Sequence, residues 1–400
     1  MKEIPVTSTQ DIRKENRCRI LEMLQRTPDL ARNEIARLCN LTEPAVSRIT
    51  RELVDAQIIE EVESDPAPSR RGRPVIGLRL RGDGAYVAAI NLSADSQWVC
   101  IANLKGELIA KHSLSLKDVA NPITVVTCAA NEIKKLIQAS EIPLPRLAGV
   151  GVSVAGPVDT NEGMLLESPN LGWPTVPLAS MIETVLNIPA KIESRPIALL
   201  LAEKYSLKNQ KIDNAALILP TLGIGGAIMT DGRILRGQSY RAGQIGHLTM
   251  SESTLVCTCG KIGCLDTLAS GHAILEQLNV ISRDRRKPRH QVEHAKLLEE
   301  AIALAKTGND NAIQILFAAG QHLGKALKSL TTVSDPEIIF LAGQLGRSES
   351  YSMGVRKSFS ENSAIPILSS KMTYEEAAVS LALRAFIYSP KFDISGYLTD

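Results

Sequence analysis

The 400-residue chain is 44% hydrophobic and 22% charged, the texture of an ordinary globular protein too long for a single core, so two or three domains are expected. A formal net charge of +2 excludes a generally basic nucleic-acid coat but leaves room for a local basic patch. No apolar run reaches the length of a membrane span, the first residues hold no signal-peptide core, and an odd count of seven cysteines favours metal ligands and free thiols over disulfides; a cytoplasmic protein without membrane attachment is expected.

Residues 10–26 place Ile12, Ile20, Leu21 and Leu24 at helical spacing, and Pro28 ends the helix. A short helix over 34–39 follows, with Ile35, Ala36 and Leu38 expected inward. Asn40-Leu41-Thr42 reads as a turn, and Thr42 as the cap of a third helix over 43–56 whose inward face is Val46, Ile49, Leu53 and Val54. Two short helices joined by a tight turn fit a helix-turn-helix, with the recognition helix starting at Glu43 and carrying Ser47, Arg48, Thr50 and Arg51. Hydroxyls suit phosphates or bases, and arginines suit guanine edges or phosphates. Strands at 58–62 and 77–80 predict a wing. Its tip, 66–74, carries Arg70, Arg71 and Arg73 around a glycine, a composition suited to the minor groove. Thr42, Glu43, Ser47, Arg48, Thr50, Arg51, Arg70, Arg71 and Arg73 are thus the expected DNA-facing residues.

From Gly84 the pattern changes. Strands are predicted at 86–92, 98–104 and 107–113, with Lys105-Gly106 as a hairpin turn. A helix at 122–140, a buried strand at 147–154, strands at 215–219 and 226–230, helices from 271 to 332, a strand at 338–343 and a last helix at 374–388 follow. Cys18, Cys39, Cys100 and Cys128 sit in apolar or helical contexts and read as small core residues.

His247, Cys257, Cys259 and Cys264 fall within 18 residues. Sulfur and imidazole are the ligands Zn²⁺ prefers, and four of them without an acidic ligand describe a closed structural site. Gly260 and Gly263 let the loop return Cys264 to the metal.

Gly246-His247, nine residues, Cys257-x-Cys259-Gly260-x-x-Gly263-Cys264 and then Asp266 together resemble the zinc signature of the ROK family (repressors, open reading frames and sugar kinases). The winged N-terminus ending in Arg71-Gly72-Arg73-Pro74 is similar to its repressor branch. The resemblance covers roughly 84–388. It implies an α/β fold: an N-terminal winged helix-turn-helix (1–80) and a two-lobed ribonuclease-H-like body of the actin and hexokinase kind. Lobe 1 is expected at 81–195, completed by about 374–400, and lobe 2, with the zinc loop, at 196–373. The ligand is expected in the cleft between the lobes.

A sugar kinase of this family needs glycine-rich phosphate loops and a carboxylate base. Where the family has Asp-x-Gly-Gly-Thr, this chain has Asn91-Leu92-Ser93-Ala94-Asp95, which lacks both glycines and adds a negative charge. The second loop keeps Gly223 and Gly225 but has Leu222 at the hydroxyl position. The family's Glu-Asn-Asp segment reads Glu193-Ser194-Arg195 here, so the base falls on an arginine, which stays protonated. No kinase activity is therefore expected. The resemblance assigns ligand contacts to Asn170, Ser194, Arg195, Gln244, His247 and Asp266, while Trp173 reads as packing. Two readings of Arg195 stand side by side: it receives an anionic sugar derivative, or it pairs with a nearby acid such as Glu193 or Asp159 or points to solvent.

These features describe a sugar-responsive, zinc-containing repressor that binds operator DNA as a homodimer or homotetramer. The rival readings are a sugar kinase carrying a DNA-binding domain and a regulator controlled by a protein partner.

Overall fold

The computed structural model describes residues 9–63, 76–114, 119–206, 212–283, 290–360 and 364–397. The N-terminal part comprises α1 (Thr9–Arg26), β1 (Leu30–Ala31), α2 (Arg32–Cys39), α3 (Glu43–Asp55), β2 (Ile59–Glu63) and β3 (Ile76–Leu80). Asn40 closes α2 in the left-handed conformation, φ 52°, which a short amide side chain tolerates. Ile35, Ala36, Val46, Ile49 and Leu53 are buried as expected. Leu38, expected inward, is 47% exposed: Ile35, Ala36 and Cys39 form the buried stripe of α2, and Leu38 lies beyond its edge. Thr42 occupies the N-cap of α3, but its side chain makes no capping hydrogen bond, contrary to expectation. β2 and β3 form the wing hairpin, from Ile59 opposite Leu80 to Glu63 opposite Ile76. The two-residue β1 adds a third strand on β3. The expected tip residues Arg70, Arg71 and Arg73 lie outside the described residues.

The body holds two sheets of identical strand succession. The first contains β4 (Tyr86–Leu92), β5 (Gln97–Asn103) and β6 (Leu108–Ser113), then α4 (Pro122–Ala139) and β7 (Leu147–Val154). A small ribbon follows, β8 (Val158–Asp159) with β9 (Met164–Leu165), and then α5 (Leu178–Leu186), β10 (Ala190–Ser194) and α6 (Arg195–Ser206). Its order is β6-β5-β4-β7-β10, antiparallel across β6, β5 and β4 and parallel across β4, β7 and β10. The second contains β11 (Ala215–Pro220), β12 (Ile224–Thr230), β13 (Arg233–Ile234), α7 (Asp266–Ala269), α8 (Gly271–Gln277), α9 (Gln291–Lys306) and α10 (Asp310–Ser334). β14 (Ile338–Leu341), α11 (Gly343–Arg347), α12 (Glu349–Phe359) and β15 (Ile367–Ser369) complete it. Its order, β13-β12-β11-β14-β15, repeats the first with the same directions. This doubled α/β arrangement behind a winged helix-turn-helix is the fold expected from the resemblance.

The last helix, α13 (Tyr374–Phe386), returns to the first sheet. A side chain at Gly151 of β7 would meet the Ala378 carbonyl oxygen at 2.5 Å, so glycine there permits the close packing of α13. One continuous apolar core joins Leu21 and Leu24 of α1 to Val87 and Trp98 of the first sheet and to Ala382, Tyr388 and Tyr397. Arg146 adds polar ties across this junction, donating to the Gly84 carbonyl at 2.7 Å and to Gln57 Oε1 at 3.0 Å. Among the described residues no helix is long and apolar enough to cross a membrane.

Candidate functional site

His247 ends a short turn (Ile245–His247), and the chain then loops back to α7 through the three cysteines. Short bridges, Thr249 with Cys264 and Val256 with Ile262, hold the loop as a knuckle. Its turn is tightened by the Cys257 N–H donating to the Lys261 carbonyl at 2.7 Å and the Gly260 N–H to the Cys257 carbonyl at 2.9 Å. Gly260 and Gly263 take φ of +86° and +79°, which other side chains rarely adopt. The four ligand atoms of His247, Cys257, Cys259 and Cys264 all lie within 4.8 Å of one another. Cys257 Sγ is 3.7 Å from His247 Nδ1, and Cys259 Sγ is 3.6 Å from Cys264 Sγ. Burial, with the Cys259 contact adding to it, pushes the Cys264 thiol up to about 12. A cluster of this kind could hold a metal ion, whose charge favours the thiolate.

The knuckle is tied to the second sheet. Asp266, buried at the start of α7, accepts the Ile224 N–H at 3.0 Å through Oδ1. A Cβ at Gly246 would lie 2.6 Å from the Ile224 carbonyl oxygen, so the segment leading into His247 rests directly on β12. Gln244, just ahead, is exposed.

Ser194 and Arg195 stand where β10 passes into α6. Ser194 is half-buried and Arg195 is buried. Arg195 Nη1 donates to Asp95 Oδ1 at 3.1 Å, and the guanidinium lies 4.2 Å from the ring centre of Tyr374. Its acidic partner is therefore Asp95, not Glu193 or Asp159. Arg236 occupies Glu193 with two hydrogen bonds of 3.2 and 2.6 Å, and Asp159 accepts the Asn161 N–H at 2.9 Å. Burial pushes the Asp95 carboxyl up, but the Arg195 charge outweighs it and holds it below the ordinary carboxylate value. The β4–β5 turn that carries Asp95 is closed on itself: Asn91 Nδ2 and Ser93 Oγ both donate to the Ser96 carbonyl at 2.7 Å. A cleft of about 920 Å³ opens beside Asp95 and Tyr374, lined also by Ile302, Lys306 and Gly343.

Asn170 is exposed on a turn of its own, while Trp173 is buried and donates from Nε1 to the Val119 carbonyl at 2.7 Å. The structure adds a set of contacts that the sequence did not suggest. The loop after β13 reaches from the second lobe to the first: Arg236 meets Glu193, Arg241 meets Glu167, and Asn161 Nδ2 donates to the Tyr240 hydroxyl at 2.9 Å. The readable sign was Glu193 itself, a carboxylate beside an apolar residue in a strand, which demands a cation when buried.

On α3, Glu43, Arg48 and Arg51 are exposed, as is Thr42 just before it; Ser47 is half-buried. Thr50 is fully buried. Its hydroxyl donates to the Ser47 carbonyl at 3.3 Å and accepts from Arg32 Nε at 3.1 Å, so it faces the core and not DNA.

The ROK family model matches residues 87–375, and a winged helix-turn-helix DNA-binding model matches residues 13–60. The chain belongs to the ROK family. The xylose repressor of Caldicellulosiruptor bescii is 25% identical over 332 residues, covering 82% of this chain and 83% of the relative. The DNA-binding transcriptional dual regulator NagC of Escherichia coli K12 is 22% identical over 379 residues, covering 93% and 92%. A solved ROK family transcriptional regulator, homologous to E. coli Mlc, superposes with a TM-score of 0.78 at 24% identity, covering 95% of this chain and 98% of that one. A ROK glucokinase from Streptomyces griseus, solved with glucose and AMPPNP, superposes at 0.62 and 20% identity, covering 74% of this chain and 98% of the kinase.

Proposed function

We propose that this protein is a sugar-responsive transcriptional regulator, a repressor without kinase activity. The observation that carries the reading is the winged helix-turn-helix sharing one core with a ROK body. Relatives of nearly the same length bear the names xylose repressor and N-acetylglucosamine repressor. Arg48 and Arg51, exposed on α3, read operator DNA together with Glu43 and Ser47, and the wing-tip arginines 70, 71 and 73 take the minor groove. Residues to about 80 bind DNA, lobe 1 runs to about 195 and is completed by α13, and the remainder forms lobe 2.

The cluster of one histidine and three cysteines holds a structural Zn²⁺. Bond lengths of about 2.0–2.3 Å in a tetrahedron set neighbouring ligand atoms about 3.5–3.8 Å apart, which the 3.6 and 3.7 Å contacts fit. The ion fixes the knuckle, and with it Asp266 and the segment into His247, against β12. The effector is held by Asn170, Ser194, Gln244, His247 and Asp266. Asp95 compensates the charge of Arg195, so a neutral sugar fits this site better than an anionic one. Arg195 at the place of the family's base, locked to Asp95, supports the absence of phosphoryl transfer. A homodimer presents two winged domains to two half-sites, and closure of the cleft alters their spacing.

The test uses the full zinc-loaded chain. It should select a sequence from a random duplex pool, and a sugar from a panel of neutral, acidic and phosphorylated monosaccharides should raise its Tm and change its affinity for that sequence. Arg48→Ala and Arg51→Ala should each weaken binding by about 1–3 kcal/mol if they contact bases. ATP consumption with any sugar of the panel, or failure to select a sequence, would sink the reading.

A further inference from the structure

Two helices of the body touch at both ends through the same contact with the partners exchanged. At their N-terminal ends the Arg195 guanidinium of α6 lies 4.2 Å from the ring centre of Tyr374 of α13. Ten residues along each helix, the Arg384 guanidinium of α13 lies 3.7 Å from the ring centre of Tyr205 of α6. Between the two clamps, Ala377 packs with Ile197, Ala198 and Leu200. Cation–π contacts at both ends with apolar residues packed between oppose sliding of one helix along the other.

Each end of this pair is anchored to a different working part. At the cleft end Arg195 is bound to Asp95 of the β4–β5 turn, and both Asp95 and Tyr374 line the cleft. At the other end Arg384 pairs with Glu22 of α1 and donates to Gln25 Oε1 at 3.2 Å, with the Tyr388 ring centre 5.3 Å away on the same guanidinium. The Arg384 side chain is only 13% exposed, while Glu22 keeps 32% of its side chain in water, so the arginine end of the pair is the sheltered one. α1 in turn carries the winged domain on Ile20, Leu21 and Leu24.

We infer that α6 and α13 form a rigid transmission unit between the cleft and the DNA-binding domain, with Arg384 as the positioning residue that sets the attitude of α1. A change in the cleft that moves Asp95 or Tyr374 is carried to Glu22 along the pair. This rests on the regulator reading given above, but its test does not need DNA. Hydrogen exchange is measured on the full chain and on the variants Asp95→Asn and Tyr374→Leu, each alone and combined with Arg384→Met. Peptides from α1 near Glu22 should exchange at least threefold faster in the cleft variants than in the parent chain, and Arg384→Met should abolish that difference between cleft variant and parent. In parallel, affinity for the duplex selected by the parent chain should change at least threefold in the cleft variants, and by less than twofold once Arg384 is Met. Arg384→Lys, which keeps the charge but not the planar stack, should restore the coupling only in part. Exchange changes confined to the cleft, or cleft and Arg384 effects that simply add, would overturn the inference even if DNA binding is sound. Failure to select any duplex would count against the regulator reading alone, since the exchange data still decide this one. Tyr374→Leu guards against misfolding of Asp95→Asn, because the two disturb the same end by different means.

Discussion

The first hairpins of the two lobes occupy equivalent places in two sheets of the same strand order, yet they do opposite things. In the second lobe the β11–β12 turn keeps its glycines. A Cβ at Gly223 would lie 3.3 Å from Asp266 Oδ1, and the neighbouring Ile224 N–H is bound by that carboxylate, so the hairpin receives the knuckle of one histidine and three cysteines. In the first lobe the β4–β5 turn carries Ser93 and Ala94 and no glycine. It spends its polar groups on its own Ser96 carbonyl and offers Asp95 to Arg195. One hairpin is kept open by backbone and organised by a loop outside its sheet, while the other is sealed by side chains. Duplicated architecture therefore fixes where a site can form, and a handful of side chains decides whether it stays available.

Four measurements press on that contrast. The largest effect is expected at the open hairpin. If the knuckle holds zinc as proposed, replacing both Cys259 and Cys264 by Ser should take metal content from about one ion per chain to near zero. It should also lower Tm by more than about 5 °C, because structural zinc contributes its binding free energy to folding. An unchanged Tm with the metal gone would show that the knuckle does not organise the hairpin. At the sealed hairpin, Asp95→Ala leaves Arg195 buried without its partner and should cost about 3–5 kcal/mol in urea unfolding, whereas Asp95→Leu combined with Arg195→Met should be nearly neutral. An equal loss in both would mean that the pair is not what closes this turn. Gly246→Ala tests the contact between knuckle and β12: with the Ile224 carbonyl oxygen only 2.6 Å from the added carbon, a loss of about 1–3 kcal/mol is expected, with weaker zinc retention under chelator titration. The smallest effect is in acid. The Asp95 carboxyl is held below its unfolded value of about 3.9, so its contribution is complete above that pH and is lost as pH falls through the lower folded value. The stability advantage of the parent chain over Asp95→Asn should therefore shrink below about pH 4, and an advantage independent of pH would remove the ion pair as its source.

The two regions also differ in how much of them could be read beforehand. The knuckle was legible because its ligands are close in sequence and their chemistry alone selects a metal. The role of Arg195 was only half legible. The resemblance puts an arginine at the place of the family's base, but its partner lies 100 residues earlier, and nothing local singles out Asp95 over Glu193 or Asp159. Glu193 was taken by Arg236, from a loop with no pattern of its own. β10 escaped notice because Lys191 and Glu193 interrupt its apolar character, and only the pairing with β7 makes it a strand. Thr50 was a different kind of miss. Val46, Ile49, Thr50 and Leu53 follow the i, i+3, i+4, i+7 spacing of a buried stripe, so the periodicity already placed its hydroxyl inside.

The core shared by α1 and residues 378–397 has a consequence for synthesis. The winged domain is translated well before Ala382, Tyr388 and Tyr397, which belong to the same core as Leu21 and Leu24. Domains ordinarily fold in the order they emerge. Here part of the core that seats the earlier one is supplied only by α13 and the residues after it, so a chain broken off before α13 leaves the winged domain without that surface.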